Sequence, residues 1–370
     1  MKKLMLWALV ACGACVAPQP VIRPPAGDDV TVFIHGYRGG FLSQSDGSLA
    51  WLTVGAALEK GERSLAFPFE GQRDFPRFGP LVPAGPMTKL TAIPGIIEED
   101  AYATWMDWAK DALPGFIAYS YDWRLDLRES GATFCTFLEK LGPTRRVRIV
   151  AHSMGGMVTL QCLRHGPDAV RAKVTKVVYV GTPFRGSPGQ WDDLHLGTRT
   201  SSNVALMGPE ALLTFPSSWA LLGPTQDFLF DAQGAPVPLE IFTAQTWVDR
   251  KWGLFKEPLP PAYRAQLEAR LKARTEFWAG FGDLDGPPPT WKTMAVVGKG
   301  RPTVRGWTVN ADGTFDFAHP LMGDGDGVVL ASHTHPPKPM SAIVVESTGE
   351  HSGMLREKAV QSVIADFLRD

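Results

Sequence analysis

The stretch Val147-Arg148-Ile149-Val150-Ala151-His152-Ser153-Met154-Gly155-Gly156 constrains this chain more than any other, because a β-branched run enters a serine directly and leaves as a helix-periodic segment. A strand-to-helix turn this tight has the form small-x-Ser-x-Gly. Larger side chains two residues to either side of the serine would meet neighbouring backbone. Gly155 satisfies the second small position, and Ala151 stands where the first glycine is usual, since a single methyl is still small. The turn holds the Ser153 hydroxyl out from a sheet edge at the amino end of a helix, where the Met154 amide can stabilise an oxyanion.

Around that turn, short β-branched runs alternate with helical periodicity, the mark of an α/β fold with a mainly parallel sheet and helices on both faces. Strands are expected at Val30–His35, Gly115–Tyr121, Arg146–Ala151, Lys176–Gly181, Thr293–Gly298 and Ser341–Glu346. Helices are expected at Glu98–Leu113, Leu127–Leu141, Met154–His165 and Ser352–Leu368. Two segments interrupt the alternation, 41–94 and roughly 186–289, the second containing an amphipathic helix over Ala262–Phe281. They read as lid-like and cap insertions over the carboxyl edge of the sheet, within one catalytic domain over 30–370, where open α/β folds bind ligands.

A formal charge of −1 lacks the basic surplus that nucleic acid demands, so no nucleic-acid partner is expected. Four cysteines, Cys12, Cys15, Cys135 and Cys162, are too few and too scattered for a disulfide framework or a zinc site, so the chain is expected to fold by packing alone. The amino terminus stands outside the fold. Two lysines and a short apolar run ending in small residues read as an export signal over 1–11. The apolar run is far below the roughly 20 residues that span a bilayer. Leu9-Val10-Ala11-Cys12 resembles a bacterial lipoprotein box, in which Cys12 is lipidated, with a proline-rich tether over 12–29. An ordinary cleaved signal is the alternative. Export to a bacterial periplasm or cell envelope is expected in either case.

A serine hydroxyl is a poor nucleophile at neutral pH and needs a base with an acid behind it, in the chain order Ser, Asp or Glu, His. Among eight histidines, His351 fits best, because it follows the last strand and begins the last helix. His35 and His152 lie in motifs whose backbones matter more, His165 sits at a helix end, and His195 and His319 precede the last acid candidates. The acid should come from Gly323-Asp324-Gly325-Asp326-Gly327-Val328, where Asp326 is the choice and Asp324 the runner-up, with a turn-stabilising role as its other reading. The glycine-rich stretch His35-Gly36-Tyr37-Arg38-Gly39-Gly40 after the first strand should supply the Tyr37 amide as the second oxyanion donor, with Gly36 letting the backbone turn towards the serine. The Asp324-Gly325-Asp326-Gly327 string and His333-Thr334-His335 are weak metal signals, lacking further ligands. No metal or other cofactor is expected, because a serine triad needs none.

Several strings together resemble the lecithin:cholesterol acyltransferase family, and within it the lysosomal (group XV) phospholipase A2 branch. They are Tyr121-Asp122-Trp123-Arg124-Leu125, Val150 to Gly155, and Val180-Gly181-Thr182-Pro183-Phe184-Arg185-Gly186. Phe215 to Leu222, Gly298 to Thr303, Gly323 to Val328 and Gly349 to Leu355 come after them in family order. The resemblance implies an α/β-hydrolase core with a cap and a small membrane-binding subdomain, acting on acyl esters of phospholipids or related glycerolipids. It implies Ser153 as nucleophile, Asp326 and His351 as its partners, and the Tyr37 and Met154 amides as oxyanion hole. Family members commonly carry a disulfide-closed lid, whereas 41–94 has no cysteine. Aromatic residues of the insertions, among them Trp51, Phe67, Phe75, Trp219, Trp247 and Trp252, either pack a subdomain or form an apolar rim that docks on a membrane surface. Trp123 and Thr182 are possible cleft residues, and Trp123 with Arg124 has a second reading, as a fastening of the strand end in which Asp122 and Arg124 satisfy buried polar groups. The rival functions are a general carboxylesterase for short-chain or non-lipid esters and a non-catalytic lipid-binding lipoprotein.

Overall fold

A computed structural model describes residues 27–53, 56, 63–93, 97–198 and 203–369. The export signal, Cys12 and nearly all of the tether lie outside the described residues. Six strands form the central sheet: β1 (Asp29–Ile34), β2 (Phe116–Tyr119), β3 (Arg146–His152), β4 (Val174–Val180), β5 (Lys292–Gly298) and β6 (Ile343–Ser347). They are all parallel, in the order β6-β5-β4-β3-β1-β2. β1, β3 and β4 carry near-continuous apolar runs because they are covered on both faces. The helices α1 (Ala103–Ala112) and α2 (Lys358–Arg369) enclose one core with Phe33, Val150 and Val178. On the other face, the helices Leu127–Lys140 and Met154–His165 pack Phe134, Leu138 and Met157 against Val32 and Ile149.

The register brings the functional strand ends together. Ile34 pairs with Ala151, and His152 with Val180, which pairs in turn with Val296. The loops that leave β1, β3, β4 and β5 therefore emerge along one edge of the sheet.

Several expectations change. The helix expected over Glu98–Leu113 is split: Ile97–Asp100 pairs as a strand with Lys89–Ile93, and α1 starts only at Ala103, whose amide donates to Asp100 Oδ1 at 2.8 Å. The last helix begins at Lys358, after a short 3-10 turn at Met354–Arg356. An antiparallel pair, Arg301–Val309 and Phe315–Gly325, comes after β5 and leads the chain back to Asp326; the hydrophobic pattern gave no sign of it. Cysteine is the plainest correction: Cys135 and Cys162 form a disulfide, with Cα atoms 5.4 Å apart. Their helices pack side by side, an adjacency that a separation of 27 residues does not reveal.

The aromatic residues of the insertions pack inward. Trp51, Phe78, Trp219, Phe228, Phe230, Trp247 and Trp252 are buried, and Leu52, Phe67, Phe69, Phe75 and Phe255 are partly buried against the same core. None of them forms an exposed rim. Among the described residues, no helix is long and apolar enough to cross a membrane.

Candidate active site

Ser153 stands between β3 and its helix with φ 54°, ψ −129°, a backbone conformation that residues other than glycine rarely adopt. The turn is held from below, where the Ser153 amide donates to the Val180 carbonyl at 2.8 Å. Gly155 is required by crowding, since a Cβ there would lie 2.4 Å from the His35 carbonyl oxygen and 2.7 Å from that of Ile34. The Ser153 hydroxyl lies 2.9 Å from His351 Nε2, and His351 Nδ1 lies 2.7 Å from Asp326 Oδ2. With Nδ1–H donating to Asp326, Nε2 is left as the acceptor for the serine proton. Ser153 and Asp326 are buried, while His351 keeps partial access to solvent.

Asp326 is held on both carboxylate oxygens. While Oδ2 faces His351, Oδ1 accepts the amides of Val328 at 2.9 Å and Val329 at 2.7 Å. Burial pushes its pKa up, but the His351 ring, its hydrogen bond and the two amides outweigh that and hold the carboxyl below its usual range. The Asp326 carbonyl also accepts the His351 amide at 2.9 Å, so the two residues are joined through backbone and side chain. Asp324 instead accepts the Gly300 amide at 2.6 Å and braces the turn. Gly298, at the end of β5, makes room, because a Cβ there would come within 2.3 Å of the Asp326 Cβ.

The loop after β1 lies against the nucleophile. A Cβ on Gly36 would meet the Ser153 Cβ at 2.7 Å. Among the described residues, neither the Tyr37 amide nor the Met154 amide donates to another protein group. The loop is tied to the cap segment by the Tyr37 hydroxyl, 2.7 Å from Ser218 Oγ, and by Arg38, 3.8 Å from Asp193. Burial pushes the Tyr37 phenol up to about 12, so its hydroxyl stays protonated.

A further group sits behind the serine. The Gly36 amide donates to the Tyr102 hydroxyl at 3.1 Å, and that hydroxyl lies 2.7 Å from His152 Nδ1. His152 Nε2 lies 2.9 Å from the His351 carbonyl. The consistent assignment has Tyr102 donating to Nδ1 and a neutral His152 donating from Nε2. Burial, reinforced by repulsion from His351, holds the His152 pKa down to about 3. The loop after β1 and His351 are thereby linked through a chain in which His152 and Tyr102 stay uncharged near neutrality. Sequence reasoning assigns His152 to its backbone and gives Tyr102 no role; no motif surrounds Tyr102, and only packing brings it here.

Trp123 and Thr182 are not cleft residues. Trp123 is fully buried, stacked edge-on against Tyr37, Trp51 and Phe215, and its indole donates to the Gly40 carbonyl at 3.0 Å. Thr182 is buried under the helix that leaves the serine, so close that a Cβ on Gly156 would collide with it. Asp122 and Arg124 form a buried, two-bonded ion pair at 2.9 and 2.6 Å, the fastening read as an alternative from the sequence. His333 Nδ1–H donates to the Gly186 carbonyl at 2.9 Å, and among the described residues no cluster of three or more His, Cys, Asp or Glu is placed to hold a metal ion.

A parallel sheet with helices on both faces, a strained serine after its central strand, and acid and histidine after later strands settle the architecture. The chain carries an α/β-hydrolase domain. Residues 101–248 match the family model described as lecithin:cholesterol acyltransferase, a stretch that includes Ser153 but ends before Asp326 and His351. No curated protein matches the chain. Among solved structures, the Tle4–Tli4 complex is 15% identical over 92% of this chain and 98% of that one, with a TM-score of 0.52. The mature lipase BlEst2 of Bacillus licheniformis is 14% identical over 95% of this chain and 96% of its own, with a TM-score of 0.39. At 15% identity the likeness to the Tle4–Tli4 complex concerns the fold alone, and the chemistry has to be argued from the side chains.

Proposed function

We propose that the protein is a serine acyl hydrolase or acyltransferase of the phospholipase A type, acting on acyl esters of phospholipids or related glycerolipids at a membrane surface. One observation carries the catalytic part: the unbroken hydrogen-bond chain from Ser153 through His351 to Asp326 on a strained turn. His351 takes the Ser153 proton as Oγ attacks the ester carbonyl carbon, and the Tyr37 and Met154 amides stabilise the oxyanion. The tetrahedral adduct collapses as His351 protonates the leaving alkoxide. The acyl-enzyme is released by water as a fatty acid or by a bound alcohol as a new ester. The complete hydrogen-bond chain is what speaks against a non-catalytic lipid-binding protein.

The lipid part of the reading is supported by the family match over 101–248 and the two insertions beside the site. Export to an oxidising envelope compartment, with anchoring through Cys12, is supported by the leader and by the Cys135–Cys162 disulfide, since such bonds persist where thiols are not kept reduced. The test is product analysis by mass spectrometry after incubation with phospholipid liposomes, with and without a long-chain alcohol, alongside Ser153→Ala. Serine-dependent lysophospholipid and free fatty acid are expected, with an alcohol ester wherever acyl transfer competes with water. Turnover of short-chain esters without any phospholipid product would replace this reading with a carboxylesterase.

A further inference from the structure

A cavity of about 820 Å³ lies away from the triad. It lies beyond the edge strand β2, between the 66–83 segment and the helix Leu127–Lys140, and neither Ser153, Asp326 nor His351 lines it. β2 is two strands from β3, so roughly 10 Å of sheet separates the cavity from the nucleophile's strand. Phe67, Phe75, Phe78 and Leu81 form its apolar wall. Its volume falls in the range, about 300–1,000 Å³, in which proteins enclose small ligands.

Two polar atoms in this lining are unusual. The Tyr119 hydroxyl and the Ser130 hydroxyl are both buried, both belong to residues that line the cavity, and neither has a hydrogen-bond partner among the described residues. Buried hydroxyls are seldom left unpaired, because the lost hydration is not replaced. The charged groups around them sum to no net charge. Arg124 is bonded to both Asp122 oxygens and to the Leu65 carbonyl, and Arg77 donates to Gln72 while lying over the Phe75 ring. Glu129 completes the set, so two arginines face two carboxylates and no net charge favours an ionic head group.

We propose that this cavity is a second binding site, separate from the triad, for a single-chain amphiphile with an uncharged hydroxyl head, of the long-chain alcohol or monoacylglycerol kind. The alkyl chain lies along the phenylalanine wall, and the head exchanges hydrogen bonds with Tyr119 and Ser130. A fatty carboxylate is disfavoured, because the lining holds as many carboxylates as arginines and so offers an added negative charge no net positive charge.

The test is calorimetric titration of the full-length Ser153→Ala protein with 1-decanol and, separately, with decanoate at pH 8. One 1-decanol per chain is expected at this cavity, bound more tightly than decanoate. Tyr119→Phe, which removes one hydroxyl from a site that otherwise keeps its shape, should weaken 1-decanol about fivefold. Thr133→Trp, a change at an exposed position on the rim, should abolish that binding. Should that variant fail to fold, Ser130→Ala combined with Tyr119→Phe reads the same site through a larger loss of affinity. Binding of 1-decanol that none of these variants changes, or no binding at all, overturns the site. Decanoate bound more tightly than the alcohol overturns the uncharged head group.

Discussion

Two aspartates sit near the carboxyl edge of the same sheet, both buried and both held by two or more hydrogen bonds, yet they do opposite jobs. Asp122 faces Arg124, whose guanidinium takes both carboxylate oxygens. Asp326 gives one oxygen to His351 and the other to two backbone amides. An arginine never gives up its proton in a protein, so the first pair is a fixed dipole that ties the strand end to the 63–67 segment through Leu65. A histidine can take up and return a proton, so in the proposed reaction the second pair stabilises the imidazolium formed as Ser153 gives up its proton. The partner, not the carboxylate, separates scaffold from chemistry.

Asp326→Asn probes the second pair with the largest effect. It keeps the shape but removes the charge and disturbs the His351 tautomer, and kcat on an ester substrate should fall on the order of 10⁴-fold with the melting temperature little changed. An activity loss below tenfold would move the acid elsewhere. Asp122→Ala should do the reverse. It strands Arg124 as an uncompensated buried charge, so chemical denaturation should show a loss of about 3–5 kcal/mol, while molecules that remain folded keep their kcat. Were kcat to collapse with stability intact, the pair would belong to the chemistry after all.

The buried histidines extend the comparison to pH. Burial holds His35 down to about 4, and His152 and His195 down to about 3, well below an unfolded value of about 6.5. The unfolded chain therefore binds more protons than the folded one below about pH 6.5. The stability these neutral rings contribute is complete above that pH and is lost as pH falls towards their folded values, at about 1.4 kcal/mol per pH unit for each ring. Unfolding monitored by circular dichroism should show declining stability from pH 6.5 to 4.5, and a flat profile would contradict the neutral assignment. The smallest effect is expected of Tyr102→Phe, which removes the donor to His152 Nδ1. A fall in kcat of about tenfold with KM unchanged would mark Tyr102 as a positioning residue. Equal changes in both constants would reduce it to packing.

Legibility from sequence tracked how local each cause is. The turn at Ser153 was readable because steric crowding acts between neighbours in the chain, and Ala151, Gly155 and the flanking patterns all agree. The strands of the central sheet were recovered to within two residues at each end, since their β-branched and apolar runs are short and bounded by turn residues, and those of β1, β3 and β4 are continuous because both faces are covered. Choosing Asp326 over Asp324 rested on a pattern, and the geometry now separates them by partner: His351 for one, the Gly300 amide for the other. The single helix expected over Glu98–Leu113 was wrong because Ile97–Asp100 is claimed by a strand partner that periodicity does not register.

By itself the sequence determined the alternation of strands and helices, the strained serine turn and the chain order Ser153, Asp326, His351, all of which depend on local sterics and hydrophobic period. Tertiary structure alone decided which distant residues share a space. It joined Cys135 to Cys162, buried Trp123 and Thr182, and set Tyr102 between Gly36 and His152. It also placed Tyr119 and Ser130 along one apolar cavity. The reason is physical: these contacts are fixed by sheet register and helix packing summed over the whole fold, and no short segment of chain encodes them.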